Sequence, residues 1–234
     1  MINNKFVGME KLSLVDYEGK LACTLFTNGC NFKCPFCHNS ALVINHNNYN
    51  YIEDEEILSY LQKRTKQLDA VVITGGEPTL MSNLIDQIKK IKQLGFLIKL
   101  DTNGSNPDTI KYLVENKLID YIAMDIKNSF EKYSLTTGIN NINLDNIKDS
   151  INYIMNCNID YEFRTTLVKE LHNENDIIEI SNIIKGAKKY FLQCFVDRGE
   201  CIKDNLHKIE KEEALKYKKI LEKNIEKVLL RGYE

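Results

Sequence analysis

Two hydrophobic periods take turns along this chain, one of two residues and one between three and four. Leu21 to Thr27 (LACTLFT) is a short run of apolar and β-prone residues. It predicts a strand, because such side chains suit a pleated, covered surface. A helix fits about 54 to 67, where Ile57, Leu61 and Leu68 share one face and Asp54 is placed to cap the first turn. Ala70 to Thr74 (AVVIT) reads as a buried strand ending in Gly75-Gly76. Leu84, Ile88 and Ile91 mark another helix, with Gly95 positioned to stop it.

The alternation continues with strand 96–101 (FLIKLD), a helix from about 107 with Pro107 in its first turn, strand 120–126 (DYIAMDI) and a helix carrying Leu144, Ile147, Ile151 and Ile154. Strand 159–166, helix 175–186 and strand 190–196 complete the series. Six strands alternating with five helices imply parallel βαβ units, since each parallel pair needs a crossover. The expected class is α/β, either an open doubly wound sheet or a partial (β/α) barrel. Ligands sit beyond the C-terminal strand ends in both. Lys208 to Val228 is dense in Lys and Glu, with Ala214, Tyr217, Leu221 and Val228 roughly on one face, and predicts a terminal helix packing one stripe. The Asn-rich stretch Asn45 to Asn50 reads as a surface loop.

Composition narrows the class. At 234 residues and 43% hydrophobic content the chain can build one large domain or two small ones, with a core that needs no disulfide staples. A net charge of −2 with interspersed signs offers no sustained positive field, which disfavours nucleic acid as a main ligand. The N-terminus shows no signal-peptide h-region, and apolar runs such as Ala70 to Ile73 fall far short of the ~20 residues that span a bilayer. The chain is therefore expected to be cytoplasmic, with no membrane partner and with reduced thiols.

Three of the seven cysteines crowd into Cys30-Asn31-Phe32-Lys33-Cys34-Pro35-Phe36-Cys37, directly after the first strand. Structural zinc wants four ligands, and no second C-x-x-C occurs. His38 is adjacent to Cys37, where two residues of a tight loop rarely share one tetrahedral ion. Cys23 lies inside a strand, where a buried thiol acts as a small hydrophobe. A redox pair of Cys34 and Cys37 would leave Cys30 without a task. An iron–sulfur cluster on three thiolates, with one iron open, uses all three and no others. Cys157, Cys194 and Cys201 are too scattered to hold an auxiliary cluster.

C-x-x-x-C-x-Φ-C, with Phe36 as the aromatic Φ, resembles the motif of the radical S-adenosylmethionine (SAM) superfamily. The resemblance implies a partial (β/α)6 barrel with a C-terminal helix and one four-iron four-sulfur cluster on Cys30, Cys34 and Cys37. The open iron would chelate the methionine moiety of SAM, and one electron would release a 5′-deoxyadenosyl radical. Phe36, Cys37 and His38 would then lie at SAM. Gly75-Gly76-Glu77-Pro78, otherwise ordinary strand-to-helix punctuation, resembles the GGEP element that contacts the SAM amino group.

Asp101-Thr102-Asn103-Gly104 and Asp125-Ile126-Lys127 resemble the DTNG and D-L-K segments of pyruvate formate-lyase activases. By that likeness Asp101 and Asp125 share a monovalent cation, Thr102, Asn103 and Ile126 border SAM, and Lys127 reaches a SAM oxygen. Two strand-end aspartates in one mouth would otherwise repel. Arg164 has two readings: a salt bridge to Glu162 on its own strand, or a contact to the SAM carboxylate or the substrate backbone. Gln193 stands where relatives place a ribose-contacting His.

Leu12 to Lys20 (LSLVDYEGK) and the cysteine loop CNFKCPFCHN resemble the longer anaerobic ribonucleoside-triphosphate reductase activating proteins, within the glycyl-radical-enzyme activases. Glu18 replaces their usual Pro and is expected to loosen the leader. The resemblance implies a glycyl-radical enzyme as protein partner and flavodoxin or ferredoxin as electron donor. The organisation expected is a leader at 1–20 packing on the barrel, a radical SAM core at 21–200 and a helical extension at 201–234. Three alternatives stay open: activation of pyruvate formate-lyase or another glycyl-radical enzyme, a small-molecule radical SAM reaction such as deazapurine carboxylate synthesis, and a non-catalytic iron–sulfur or zinc protein.

Overall fold

In the computed structural model, which describes residues 5–44 and 50–233, eight strands follow one another across one sheet in chain order. They are β1 Phe6–Ser13, β2 Ala22–Thr27, β3 Ala70–Gly75, β4 Leu97–Thr102, β5 Tyr121–Asp125, β6 Asp160–Leu167, β7 Lys189–Cys194 and β8 Lys227–Arg231. The helices are α1 Ser40–Ile44, α2 Asp54–Gln62, α3 Leu84–Gln93, α4 Pro107–Glu115, α5 Tyr133–Thr137, α6 Leu144–Asn156, α7 Glu174–Ile183 and α8 Lys211–Leu221. β1 runs antiparallel to β2, and every later neighbour pair is parallel.

That order separates the two architectures left open by periodicity. A doubly wound sheet reverses its strand order at a switch point, and this sheet does not. Right-handed crossovers that always advance in one direction put every helix on one face, and the other face curls around an interior. The fold is a partial α/β barrel with β1 and β8 at its edges.

The two-residue period decides which side chains enter that interior. Val71, Ile73, Ile98, Leu100, Ile122 and Met124 face the helices and join the main core. Their strand neighbours Ala70 and Val72 pack instead with Tyr17, Ala22, Leu97 and Tyr121 in a separate small cluster. Tyr17 comes from the leader, so the turn after β1 forms the barrel floor; its ring lies 5.2 Å from that of Tyr121. Asp16 accepts a hydrogen bond from Thr24 Oγ1 at 2.6 Å, and its carbonyl accepts one from Lys99 Nζ. Glu18 pairs with Lys189 at the start of β7, so the residue that replaces proline ties the leader across the floor.

Several elements differ from expectation in instructive ways. The leader is an edge strand as well as a packed loop. Asp54 does not cap α2: its carboxylate bonds Gln87 and Lys90 of α3, because the acidic first turn faces that helix. The tail is a helix only to Leu221; Val228 then belongs to β8, pairing with Tyr190. So short an apolar run, directly after a Lys-rich helix, hid that strand. Pro107 does open α4 and Gly95, at φ +91°, does end α3. The expected Asn-rich surface loop falls almost wholly at 45–49, outside the described residues. No helix among the described residues is long and apolar enough to cross a membrane.

α7 opens on a capping box, in which Asn173 Oδ1 accepts from Asp176 N at 3.2 Å and Asp176 Oδ2 accepts from Asn173 N at 2.9 Å. Asn173→Ala removes one half of it. A loss of about 1 kcal/mol in unfolding free energy is expected from urea denaturation.

Candidate active site

The loop after β2 and the C-terminal ends of β3, β4, β5, β6 and β7 deliver residues to one cavity of about 280 Å³. Cys30, Cys34 and Cys37 line it as free thiols, with Phe36 and His38 beside them. No fourth cysteine among the described residues lines the cavity. Three neighbouring elements hold the loop that carries them. Lys33 N donates to Thr137 O of α5 at 2.8 Å, Gly29 N to Leu42 O of α1 at 2.8 Å, and Lys203 N to Pro35 O at 3.0 Å. The His38 ring stacks on Phe195 at 5.5 Å. The segment after β7 therefore helps fix the cysteine loop.

The three thiols suit iron–sulfur ligation. Phe32 N donates to Cys30 Sγ at 3.3 Å and Asn103 Nδ2 reaches it at 3.7 Å, the kind of donors that stabilise a cluster's thiolates. Burial pushes Cys30 up to about 12 and Cys34 up to about 11, and raises Cys37 as well. The Lys127 charge opposes this rise at each of them. The metal-free thiols are neutral, so iron uptake must release protons.

Opposite the cysteines stands a ladder of charges. Arg164 donates through Nε to Asp125 Oδ1 at 2.8 Å and through a terminal nitrogen to Asp101 Oδ2 at 3.0 Å. Lys127 Nζ sits 3.0 Å from Asp125 Oδ2 and over the Phe36 ring. Burial works to raise both carboxyls, but Arg164 and Lys127 outweigh it at Asp125, which falls to about 2. Arg164 and Lys99 likewise hold Asp101 below the usual carboxylate range. Arg164 thus pairs with the two strand-end aspartates and not with Glu162. Glu162 is instead bound by Tyr121 at 2.9 Å and Arg231 of β8 at 3.4 Å.

Lys99 was not singled out in the sequence, although a lysine between Ile98 and Leu100 in a strand is a visible anomaly. It is 3% exposed and lies 3.5 Å from Asp101 and 4.0 Å from Glu162, joining the leader to the site. Lys99→Met leaves both carboxylates their other partners but removes a buried charge. A loss of about 2 to 3 kcal/mol in unfolding free energy is expected from denaturant titration, and an unchanged midpoint would refute the role.

Glu77 and Ile126 do not line the cavity. Ile126 is core, fully buried. Glu77 Oε1 accepts from Thr79 N at 3.1 Å, Thr79 Oγ1 at 2.6 Å and Thr102 Oγ1 at 2.7 Å, while Oε2 accepts from Asn103 N at 2.7 Å. Burial outweighs these bonds and raises its pKa. Glu77 is therefore a brace between the ends of β3 and β4. Gly75, Gly76, Thr102, Asn103 and Gln193 do line the cavity, together with Phe32, Asn39, Val43, Thr74 and Thr166, which sequence reasoning missed. Thr74 and Thr166 are small inward-facing strand positions and carry no motif. Behind Lys127, His172 is held neutral by burial; its Nδ1 accepts from Val168 N at 3.1 Å, so Nε2 donates to Lys127 O at 2.9 Å.

A parallel partial barrel with three such cysteines at its mouth defines the radical SAM class, and the comparisons agree. The sequence model of the Radical SAM superfamily matches residues 24–183. MJ1227 of Methanocaldococcus jannaschii, provisionally named a glycyl-radical enzyme activating enzyme, is 34% identical over 96% of this chain and 94% of its own. MJ1632 of the same organism, named likewise, is 30% identical over 97% of this chain and 86% of its own. Streptococcus suis SuiB bound to S-adenosylmethionine superposes with a TM-score of 0.68 at 16% identity, covering 87% of this chain and 48% of SuiB. A domain of the pyruvate-formate lyase-activating enzyme from Bacteroides vulgatus gives 0.55 at 19% identity, covering 70% of this chain and 99% of that domain. The chain belongs to the radical SAM superfamily and, within it, to the glycyl-radical-enzyme activating enzymes.

Proposed function

We propose that this enzyme removes one hydrogen atom from the Cα of a glycine in anaerobic (class III) ribonucleoside-triphosphate reductase, leaving a glycyl radical stored on that partner. When bound, a four-iron four-sulfur cluster and SAM supply the electron transfer and the 5′-deoxyadenosyl radical that this requires. The observation that carries the reading is the convergence of Cys30, Cys34 and Cys37 with the ends of β3 to β7 on one cavity. The leader LSLVDYEGK and the loop CNFKCPFCHN support this particular partner.

The chain's own residues do the positioning. Cys30, Cys34 and Cys37 would hold the cluster, and backbone carbonyls at Gly75 and Gly76 would take the SAM ammonium. Asn39 Nδ2 donates to Gly75 O at 3.3 Å and orients that turn. Thr102, Asn103, Lys127 and Gln193 line the cavity and would contact bound SAM, Lys127 through a SAM oxygen. No side chain is needed as a general base, because a hydrogen atom moves and not a proton; catalysis here is orientation and exclusion of water. Flavodoxin or ferredoxin is the proposed donor, in the cytoplasm.

The test mixes the anaerobically reconstituted protein, SAM and a chemical reductant with each candidate partner and records the electron paramagnetic resonance spectrum. A glycyl doublet is expected with anaerobic ribonucleotide reductase. A doublet with pyruvate formate-lyase alone would reassign the partner, and SAM cleavage with no doublet on either would point to another glycyl-radical enzyme or to a small-molecule substrate.

A further inference from the structure

We infer that the Arg164 guanidinium is itself the positive charge between Asp101 and Asp125, so that this enzyme takes up SAM without the monovalent cation expected at that position. The inference depends on the SAM-binding reading for its functional half only.

The oxygen atoms decide the question. Asp125 Oδ1 is taken by Arg164 Nε at 2.8 Å and Oδ2 by Lys127 Nζ at 3.0 Å. Asp101 Oδ2 is taken by Arg164 at 3.0 Å and Thr74 Oγ1 at 3.2 Å. Of these four oxygens only Asp101 Oδ1 has no hydrogen bond, and Lys99 Nζ stands 3.5 Å from it. A hard cation needs several oxygens at once, and here it could gain them only by displacing charge-assisted bonds from a planar fork that spans both carboxylates.

Charge points the same way. Arg164 and Lys127 already balance Asp101 and Asp125, and Lys99 adds a third positive group shared with Glu162. One more cation in this half-buried pocket would have no unpaired carboxylate to answer it.

Strand register explains how the arginine gets there. Asp125 and Arg164 are direct partners on β5 and β6. Asp101 lies one strand further away, opposite Ala123, whose small side chain leaves room for the guanidinium to pass.

The experiment has two independent readouts. In the first, the ²³Na line width is followed as cluster-free protein is titrated. No protein-dependent broadening is expected for wild type, and broadening is expected for Arg164→Gln, where the two carboxylates are left facing each other. In the second, SAM affinity of the cluster-loaded protein is measured with tetramethylammonium or potassium as the only monovalent cation, at about 0.1 M and constant ionic strength. Wild type is expected to change less than about twofold, while Arg164→Gln loses affinity and regains about tenfold on adding potassium. Arg164→Lys, which keeps a fixed charge, should stay insensitive. Sodium broadening in wild type, a tenfold potassium effect on wild type, or equal insensitivity of Arg164→Gln overturns the inference. A protein that binds no SAM at all would refute the proposed function, and the sodium measurement would still decide the role of Arg164.

Discussion

Replacing Cys34 by Ala is expected to abolish iron loading and to lower SAM cleavage by roughly a thousandfold or more, to background. Cys34 is buried to 7% exposure in a loop held at Lys33 and Pro35 by backbone bonds, so the metal-free fold does not depend on its thiol. The loss of one sulfur should change the stability of the metal-free protein by about 1 kcal/mol at most. Activity and stability therefore separate: denaturation midpoints stay near wild type while iron content and visible absorption vanish. Cys157→Ala is the control, because Cys157 bonds Ile154 O at the end of α6 and does not line the cavity. If Cys34→Ala still bound iron and cleaved SAM, the active-site assignment would be wrong.

Gly76→Ala should be the most disruptive substitution at the site that touches no cysteine. A Cβ at this position would stand 1.9 Å from Gly29 O, a backbone atom. Gly29 O cannot retreat freely, because it accepts from Glu77 N at 2.8 Å while Gly76 N is bound to Thr27 O at 2.8 Å. Relief must shift the β3 end away from the residue that precedes Cys30. A loss of more than about 3 kcal/mol in unfolding free energy is expected, together with weakened SAM binding. A variant with wild-type stability would show that this approach is looser than the geometry requires. The tight contact also explains the second glycine better than turn punctuation does, since punctuation alone would tolerate alanine.

Much of the fold was legible in the order of residues. Strands β2 to β7 and the helices α2, α3, α4, α6 and α7 between them appear in the hydrophobic periods, because parallel strands covered on both faces need near-continuous apolar runs, whereas the five-residue α1 and α5 are too short to show a period. β8 was not legible. Its residues Lys227 to Arg231 continue a Lys- and Glu-rich stretch, and their pairing with β7 is decided by a neighbour distant in sequence. The cysteine loop was the clearest part of the site, since its three cysteines lie within eight residues. Arg164 was the least clear. Its nearest acid in sequence is Glu162, yet both of its partners sit on other strands.

The sequence by itself determined the chemistry class, through three cysteines whose spacing needs no distant contact to be read, and the order of strands and helices, through local period. Tertiary structure decided which charges meet. Side chains such as Lys99, Asp101, Asp125 and Arg164 sit at inward positions of three strands, β4, β5 and β6, and no local pattern records which of them will face one another across strands. Curling the sheet brought them within hydrogen-bond distance, turned Glu77 from a ligand candidate into a brace, and set an arginine between the two aspartates. Low dielectric then makes that pairing strong, because buried charges must find partners where the fold places them.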